Sequence, residues 1–391
     1  MEEKIWISEY NHLAEHGNSM PTRVGIYDTT LRDGEQTAGL VFNKYDKHEI
    51  AKALDDVGVD RIEVGMPAVS EEDREAIKLI VEDKLKAELW GFSRAKEQDI
   101  DLCVNLGLKN LLLEYPTSPY KIKAYGYDPQ GVTKIIQNAV AYAKKHNVYV
   151  QFMFVDGTRT PRGDLFAAMH AAVDAGADEL TIPDTVGALS PEGTAYLVTE
   201  VRKEFSLPLG IHVHNEFGMA TACAMAAVRA GASWVHVTAN GLGEKTGNAD
   251  ISEIAVALRI LYGVESSIRL DKLKWLADKV EEISKVKLSS MKPIVGSAVF
   301  QRESGSVVNQ MLKMPSAVES YDPSLVGQKR QIILGKKSGK ESLQHFLKSL
   351  NLPVSDEELI LLLTKIKQIS IDRKGPVETS ELPALIQSIR A

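Results

Sequence analysis

Residues 149–185 read YVQFMFVDGTRTPRGDLFAAMHAAVDAGADELTIPDT. YVQFMFVD at 149–156 and ELTIPDT at 179–185 are short apolar runs rich in strand formers. Between them DLFAAMHAAVDAG sets apolar residues at helical spacing and stops on Gly176. Strand, amphipathic helix, strand is the pattern of a unit whose two strands run parallel.

The same unit recurs on both sides. Upstream lie RVGIYDTTL (23–31), DRIEVG (60–65), ELWGFSR (88–94) and NLLLEYP (110–116). Downstream lie PLGIHVHNEF (208–217) and SWVHVTANGLG (233–243). Helical stretches separate them. In the first, Ile50, Leu54 and Val57 share a face, with Asn43 as N-cap and Gly58 as stop. The next begins Ser70-Glu-Glu-Asp, which resembles a capping box. Eight such units fit the size of a (β/α)₈ barrel. An open doubly wound sheet would carry a glycine-rich phosphate turn after its first strand, and none is present. The expected fold is therefore α/β: a (β/α)₈ TIM barrel over 20–265 with a smaller, mostly helical C-terminal region at 266–391.

Beyond 265 the rhythm changes. LDKLKWLADKVEEISKV (270–286) reads as an exposed amphipathic helix. Residues 290–328 mix Pro, Gly and Ser without clear periodicity, and 356–374 and 378–390 read as a helical pair. This region is too irregular for a core of its own and is expected to pack on the barrel or on a partner subunit.

Composition removes several function classes. The net charge of −7 is spread along the chain, with no clustered basic face for nucleic acid. Two distant cysteines, Cys103 and Cys223, argue against a disulfide framework and against a thiolate metal site, so a reducing cytoplasm is the expected compartment. The N-terminal stretch is mixed and charged, without a signal-like apolar core. No apolar run reaches the length of a membrane span.

Chemistry in such a barrel sits at the C-terminal ends of the strands. Those ends carry Asp28 through Gln36, Glu63, Asp184-Thr185, His212-Val-His214-Asn-Glu216 and, after the eighth strand, Asn240 through Asn248. His-x-His on a strand turns both imidazoles to one face, because side chains alternate with period two. Two imidazoles and a carboxylate make a divalent-metal site with positions left open for substrate. Asp33 can supply the carboxylate and Asn248 a carbonyl oxygen. The plainer reading is a polar pair filling the barrel mouth, and the Arg-Asp-Gly loop on strand one favours ligation. Arg32 keeps its charge at working pH and, beside a metal, can stabilise an enolate or alkoxide oxygen. Its plainer reading is a salt bridge to Glu35 or Glu63. Arg32 and Glu63 are the catalytic candidates. Gly241, Gly243 and Gly247 either let backbone approach a ligand or simply shape a loop.

These segments together, Asp28-Thr-Thr-Leu-Arg-Asp-Gly-Glu-Gln36, His212-Val-His-Asn-Glu-Phe-Gly218 and Asn240-Gly-Leu-Gly-Glu-Lys-Thr-Gly-Asn248, resemble the DRE-TIM metallolyases. Within that family they look like the Claisen-condensing branch of homocitrate, 2-isopropylmalate and citramalate synthases. The resemblance covers about 23 to 345, and the length is similar to the shorter homocitrate synthases, without the regulatory domain of feedback-inhibited isopropylmalate synthases. It implies that Asp33, His212, His214 and Asn248 hold one divalent metal ion, a set that suits Mg, Mn, Zn or Co alike. It implies that Arg32 polarises a 2-oxo acid carbonyl, that Gln36 and Arg159 contact the substrate, and that Thr185 binds its carboxylate. Acetyl-CoA is the implied co-substrate, a 2-substituted malate the implied product, and a homodimer the implied assembly.

The chain also departs from that branch. Arg302 and Val307 stand where histidines are expected, and Val318 stands for a tyrosine that Tyr321 could replace. Val155-Asp156 replaces a Glu-Asp pair, and strand four ends in an unusual Glu114-Tyr115-Pro116. Three readings stay open: a condensing acyltransferase, a lyase or aldolase working at a 2-oxo acid without CoA, and a non-catalytic paralogue that binds metal and oxo acid.

Overall fold

The computed structural model describes residues 4–13 and 20–391. After a short helix α1 (Tyr10–Leu13) come strands β1 (Gly25–Asp28), β2 (Arg61–Gly65), β3 (Glu88–Arg94) and β4 (Asn110–Pro116). They are followed by β5 (Tyr149–Val155), β6 (Glu179–Asp184), β7 (Leu209–Val213) and β8 (Trp234–Val237). Helices α2 (Lys44–Val57), α3 (Glu71–Glu82) and α4 (Glu97–Asn105) link the first four strands. The pair α5 (Pro119–Tyr125) and α6 (Val132–Lys145) leads to β5, then α7 (Arg162–Asp174), α8 (Pro191–Glu204) and α9 (Ala220–Ala230) alternate with the rest. All eight strands pair in parallel in chain order, and β1 closes on β8. The expected TIM barrel is what the chain forms.

Local chemistry explains the helices. Asn43 caps α2 through Tyr45 and Asp46 N–H, with Asp46 returning the bond, and Gly58 ends it at φ 94°. Ile50, Leu54 and Val57 are its buried stripe. Past β8, α10 (Ile251–Val256) is followed by α11 (Leu273–Ser284). The 270–286 helix, expected to be exposed, instead buries Leu273, Leu276, Ala277 and Val280 and packs on α2.

The barrel interior is filled with side chains and is not a pore. Tyr27, Trp90, Phe92, Leu112 and Met153 form one buried cluster from β1, β3, β4 and β5. Toward the strands' N-terminal ends lies Arg61, 6% exposed, bonded to Glu179 at 2.8 Å and Glu88 at 3.0 Å, with its guanidinium over Trp234 and Trp90. A buried arginine is tolerated only because two carboxylates and two aromatic faces satisfy it.

The chain divides into two compact units, Glu9–Leu288 and Met1–Ser8 with Ser289–Ala391; the sequence alone set this boundary at 265. In the second unit β9 (Gln301–Arg302) pairs in parallel with β10 (Gln331–Ile332). Around them lie α12 (Gly305–Lys313), α13 (Lys340–Ser349), α14 (Asp356–Arg373) and α15 (Leu382–Arg390). Contrary to the expectation of no independent core, this unit has one: Leu334, Leu343, Leu347, Leu359, Leu362, Ile366, Val377, Leu382 and Ile386 are buried together. The apolar positions are dispersed over three helices and two loops, so no single stretch announces the core. Among the described residues no helix is long and apolar enough to cross a membrane.

Candidate active site

The site is built from the loop after β1 outward. Asp28 turns its carboxylate back onto Thr30, accepting from the backbone N–H at 2.8 Å and the hydroxyl at 3.0 Å. The Thr30 hydroxyl in turn accepts from Ala239 N–H at 2.8 Å, tying this loop to the one after β8. These bonds fix the loop that carries Asp33, which is 2% exposed.

His212, on β7, and His214, just past its end, project to the same face as the period of two requires. Their Nε2 atoms lie 3.4 Å apart, at 3.3 and 3.7 Å from Asp33 Oδ2. Among the described residues this is the one group of three His, Cys, Asp or Glu side chains that could hold a metal ion. Burial alone would raise the Asp33 pKa, but the Arg32 guanidinium and the two imidazoles outweigh it and hold the carboxyl well below its ordinary value. Burial, then the neighbouring His212, pushes His214 down to about 3, so its imidazole is neutral and has a lone pair to offer. Lys245 Nζ lies 3.3 Å from His214 Nδ1 but also 3.1 Å from the Thr185 carbonyl and 3.7 Å from Glu216. The ammonium can only donate, so in this arrangement Nδ1 is the acceptor; ligation through Nε2 requires Lys245 to turn fully to the Thr185 carbonyl and Glu216, so that Nδ1 can carry the ring proton.

Asn248 joins the same cluster. Its Nδ2 donates to Asp33 Oδ2 at 2.6 Å and to the Leu242 carbonyl at 3.0 Å, while its Oδ1 is buried without a partner. The loop that carries it depends on its glycines. At Gly247, φ is 85° and an added Cβ would sit 1.9 Å from the Gly241 carbonyl oxygen; at Gly243 it would sit 2.2 Å from Asn248 Nδ2. These glycines fold the loop upon itself. Gly247→Ala is expected to cost at least about 2 kcal/mol of stability and to loosen Asn248, read as a lowered melting temperature together with weaker cation binding.

Arg32 lies beside the triad with its guanidinium over the Phe92 ring at 4.2 Å and Nη1 at 3.4 Å from Asp33 Oδ1. Its Nε donates to Glu63 Oε1, and the Tyr27 hydroxyl donates to Glu63 Oε2 at 3.1 Å. Glu63 is fully buried, so it stands behind Arg32 and does not face the mouth. Of the substrate-binding candidates, Gln36 is exposed at the rim of a cavity of about 410 Å³ that Arg32 also lines. Thr185 accepts from Asp156 N–H at 2.8 Å, leaving its hydroxyl proton free to donate. Arg159 is engaged by Asp156 at 2.7 and 2.8 Å and stacks on Tyr120 at 4.6 Å. Asp156 itself sits at φ 60°, a strained setting for a residue with a Cβ.

In the second unit, Tyr321 does not offer a free phenol in place of Val318. It is 9% exposed, packs edge-on to Phe300 at 5.7 Å, and burial pushes it up to about 12. Arg302 is turned onto the carbonyls of Val299 and Gln301, both at 2.8 Å.

Two inward residues escaped the sequence reading. Tyr27 stacks on His236 with ring centroids 4.1 Å apart, and His236 meets the His212 ring edge-on at 5.5 Å. Each lies one residue before the last residue of its strand, and alternation along β1 and β8 would have turned them inward.

Comparison with known proteins agrees with this geometry. The HMGL-like family profile matches residues 23–280, and the homocitrate synthase post-HMGL domain-like profile matches 294–374. A homocitrate synthase (AksA) of Methanothermobacter thermautotrophicus is 36% identical over 389 residues, covering 99% of this chain and 98% of that protein. A 2-isopropylmalate synthase of Methanocaldococcus jannaschii is 39% identical over 95% of this chain and 72% of its own. An (R)-citramalate synthase (CimA) of the same organism is 38% identical over 94% and 74%. The solved HMG-CoA lyase of Bacillus subtilis superposes with a TM-score of 0.64 at 21% identity over 70% of this chain and 97% of that one, a likeness of fold. The chain belongs to the HMGL-like family of TIM-barrel enzymes, and its second unit to the homocitrate synthase post-HMGL domain-like family.

Proposed function

We propose that this enzyme condenses acetyl-CoA, or another acyl-CoA, with a 2-oxo acid in a divalent-metal-dependent reaction that yields a 2-substituted malate. The observation that carries the reading is the convergence of Asp33, His212 and His214 within 4.8 Å of one another beside the Arg32 guanidinium. The names of the relatives, synthases of homocitrate, isopropylmalate and citramalate, point the same way.

The residues fit a dication. Three buried ligand atoms converge with no protein cation between them, and the orphaned Asn248 Oδ1 is the kind of group a cation satisfies. Asp33, His212, His214 and Asn248 would hold it. Such an ion supplies Lewis acidity to a 2-oxo carbonyl. Arg32, locked by Glu63 and braced on Phe92, is pre-aimed to stabilise oxygen charge as it develops and loses no motion in doing so. Glu63 and Tyr27 act through Arg32. The Thr185 hydroxyl donates to the substrate carboxylate, while Gln36 and Arg159 line its approach.

A second reading, carbon–carbon cleavage without CoA, draws on the altered second unit, where Val307 and Val318 offer no titratable group and Tyr321 is buried. We place the enzyme in the cytoplasm as a homodimer. Both cysteines are free, and exposed Met291, Leu312 and Met314 leave apolar surface on the second unit for a partner copy to cover.

The test is thiol release from acetyl-CoA across a panel of 2-oxo acids, with and without Mg²⁺, Mn²⁺, Zn²⁺ or Co²⁺. Release that requires both an oxo acid and a cation is the expected result. Release of an oxo acid from a hydroxy acid, with no CoA present, would favour the second reading instead.

A further inference from the structure

The carboxyls at the strand ends can be accounted for one by one. Asp33 belongs to the triad. Glu63 is taken by Arg32 and Tyr27, Asp156 by Arg159 and Ser118, and Asp184 by the Thr158 hydroxyl and the Ala188 and Leu189 N–H groups. Glu216 accepts no hydrogen bond, but it is paired with the Lys245 ammonium at 3.7 Å. Glu114 differs: among the described residues neither a hydrogen-bond donor nor a cation touches its carboxyl, although charges stand nearby.

Its position follows from register. Leu112 points into the barrel, in the cluster with Phe92, and the two are register partners across β3 and β4. Glu114, two residues further along β4, shares that inward face and stands above Leu112 as Arg32 stands above Phe92. In a closed eight-stranded barrel β4 lies opposite β8, which runs between the two strands whose ends carry the triad, so Glu114 and the triad share one mouth, with Arg32 among the charges near Glu114. The residue is half-buried, hence reachable by a ligand. Burial raises its pKa to about 7, with Glu63 adding to the shift and Arg32, Arg94 and Lys121 opposing it. The Tyr125 phenol is raised by burial first and then by the nearby Glu114 charge. A dication in the triad would draw the Glu114 value down from there. An unpartnered carboxyl kept in a functional mouth is a cost to the fold, and its proton affinity suits transfer near neutrality.

We infer that Glu114 is the general base of the condensation, taking a proton from the carbon next to the thioester of the acyl donor. This rests on the condensing reading above. One C–H bond of the donor's methyl breaks, and its electron pair forms the bond to the ketone carbon of the oxo acid. The ketone π pair moves onto oxygen beside Arg32. The proton ends on a Glu114 carboxylate oxygen. One water then adds to the thioester carbonyl and the C–S bond breaks; the water oxygen stays in the new carboxylate, and its two protons go to the alkoxide and to the departing thiolate. The Glu114 proton passes to solvent as product leaves, the one proton the overall reaction releases.

The test is Glu114→Gln, which keeps shape and removes basicity, in the full-length enzyme with Mn²⁺. Expected are a fall in kcat of at least about 100-fold, a KM for the oxo acid within a few fold, and unchanged Mn²⁺ binding. Deuterium exchange into the acetyl methyl, followed with a non-reacting oxo-acid analogue bound, should be lost. The acid-side limb of the native kcat–pH profile, where Glu114 takes up its proton, should vanish, and Glu114→Asp should recover part of the rate. A variant within about threefold of the native rate that keeps this limb would overturn the inference. So would persistent exchange with a changed preference among oxo acids, which would make Glu114 a contact for the substrate's substituent. No thiol release by the native enzyme with any oxo acid would instead bring down the condensing reading, and this inference with it.

Discussion

His212→Ala is expected to lower Mn²⁺ affinity by at least about 100-fold and to abolish measurable turnover while the barrel stays folded. The reason is geometric. His212 is one of three converging ligand groups, and its Nε2 lies 3.3 Å from Asp33 Oδ2 and 3.4 Å from His214 Nε2. Residues that merely orient a ligand cost about 10–100-fold in affinity when removed, so loss of a ligand should exceed that. The imidazole is 4% exposed, and truncating it leaves a small polar void costing roughly 1–3 kcal/mol, short of unfolding. Electron paramagnetic resonance of Mn²⁺ titrations, with a thermal melt alongside, separates the two effects. Native affinity in this variant would remove His212 from the ligand set.

Arg32→Gln should lower kcat by about 100- to 1,000-fold, the range seen when a preorganised donor to a developing oxyanion is removed. It should also destabilise the protein, because Glu63 is fully buried and would lose its cation. The double variant Arg32→Gln with Glu63→Gln separates catalysis from structure. Removing both charges should restore most of the melting temperature, since the buried pair is replaced by two neutral amides that can bond each other. It should not restore the rate. Recovery of both together would reduce Arg32 to a structural ion pair.

Much of this was legible in the sequence, for identifiable physical reasons. The eight strands were readable because their runs are short, apolar and separated by helices with strong local punctuation, as at Asn43 and Gly58 around α2. The triad was readable because alternation forces His212 and His214 to one side and strand ends share one face of the barrel. What was hidden depended on contacts between segments distant in sequence. Nothing local says that Arg32 leans on Phe92 or that Tyr27 holds the far oxygen of Glu63. The charged, mixed pattern of 270–286 suggested exposure, whereas the neighbouring α2 supplies the surface that buries its apolar stripe. The core of the second unit was missed for a related reason: Leu334 and Val377 come from loops that bridge to each other, and only the fold brings them to α13, α14 and α15.

The catalytic reading as a whole requires a cation where β7 and the β1 loop converge. Crystals of the full-length protein grown with Mn²⁺, measured at an energy where manganese scatters anomalously, answer this directly. The expected result is one strong anomalous peak about 2.0–2.2 Å from Asp33 carboxylate oxygen and both Nε2 atoms, with the Asn248 amide turned to bring Oδ1 toward it. A peak elsewhere in the chain, or none while His212 and His214 keep their mutual contact, would contradict it.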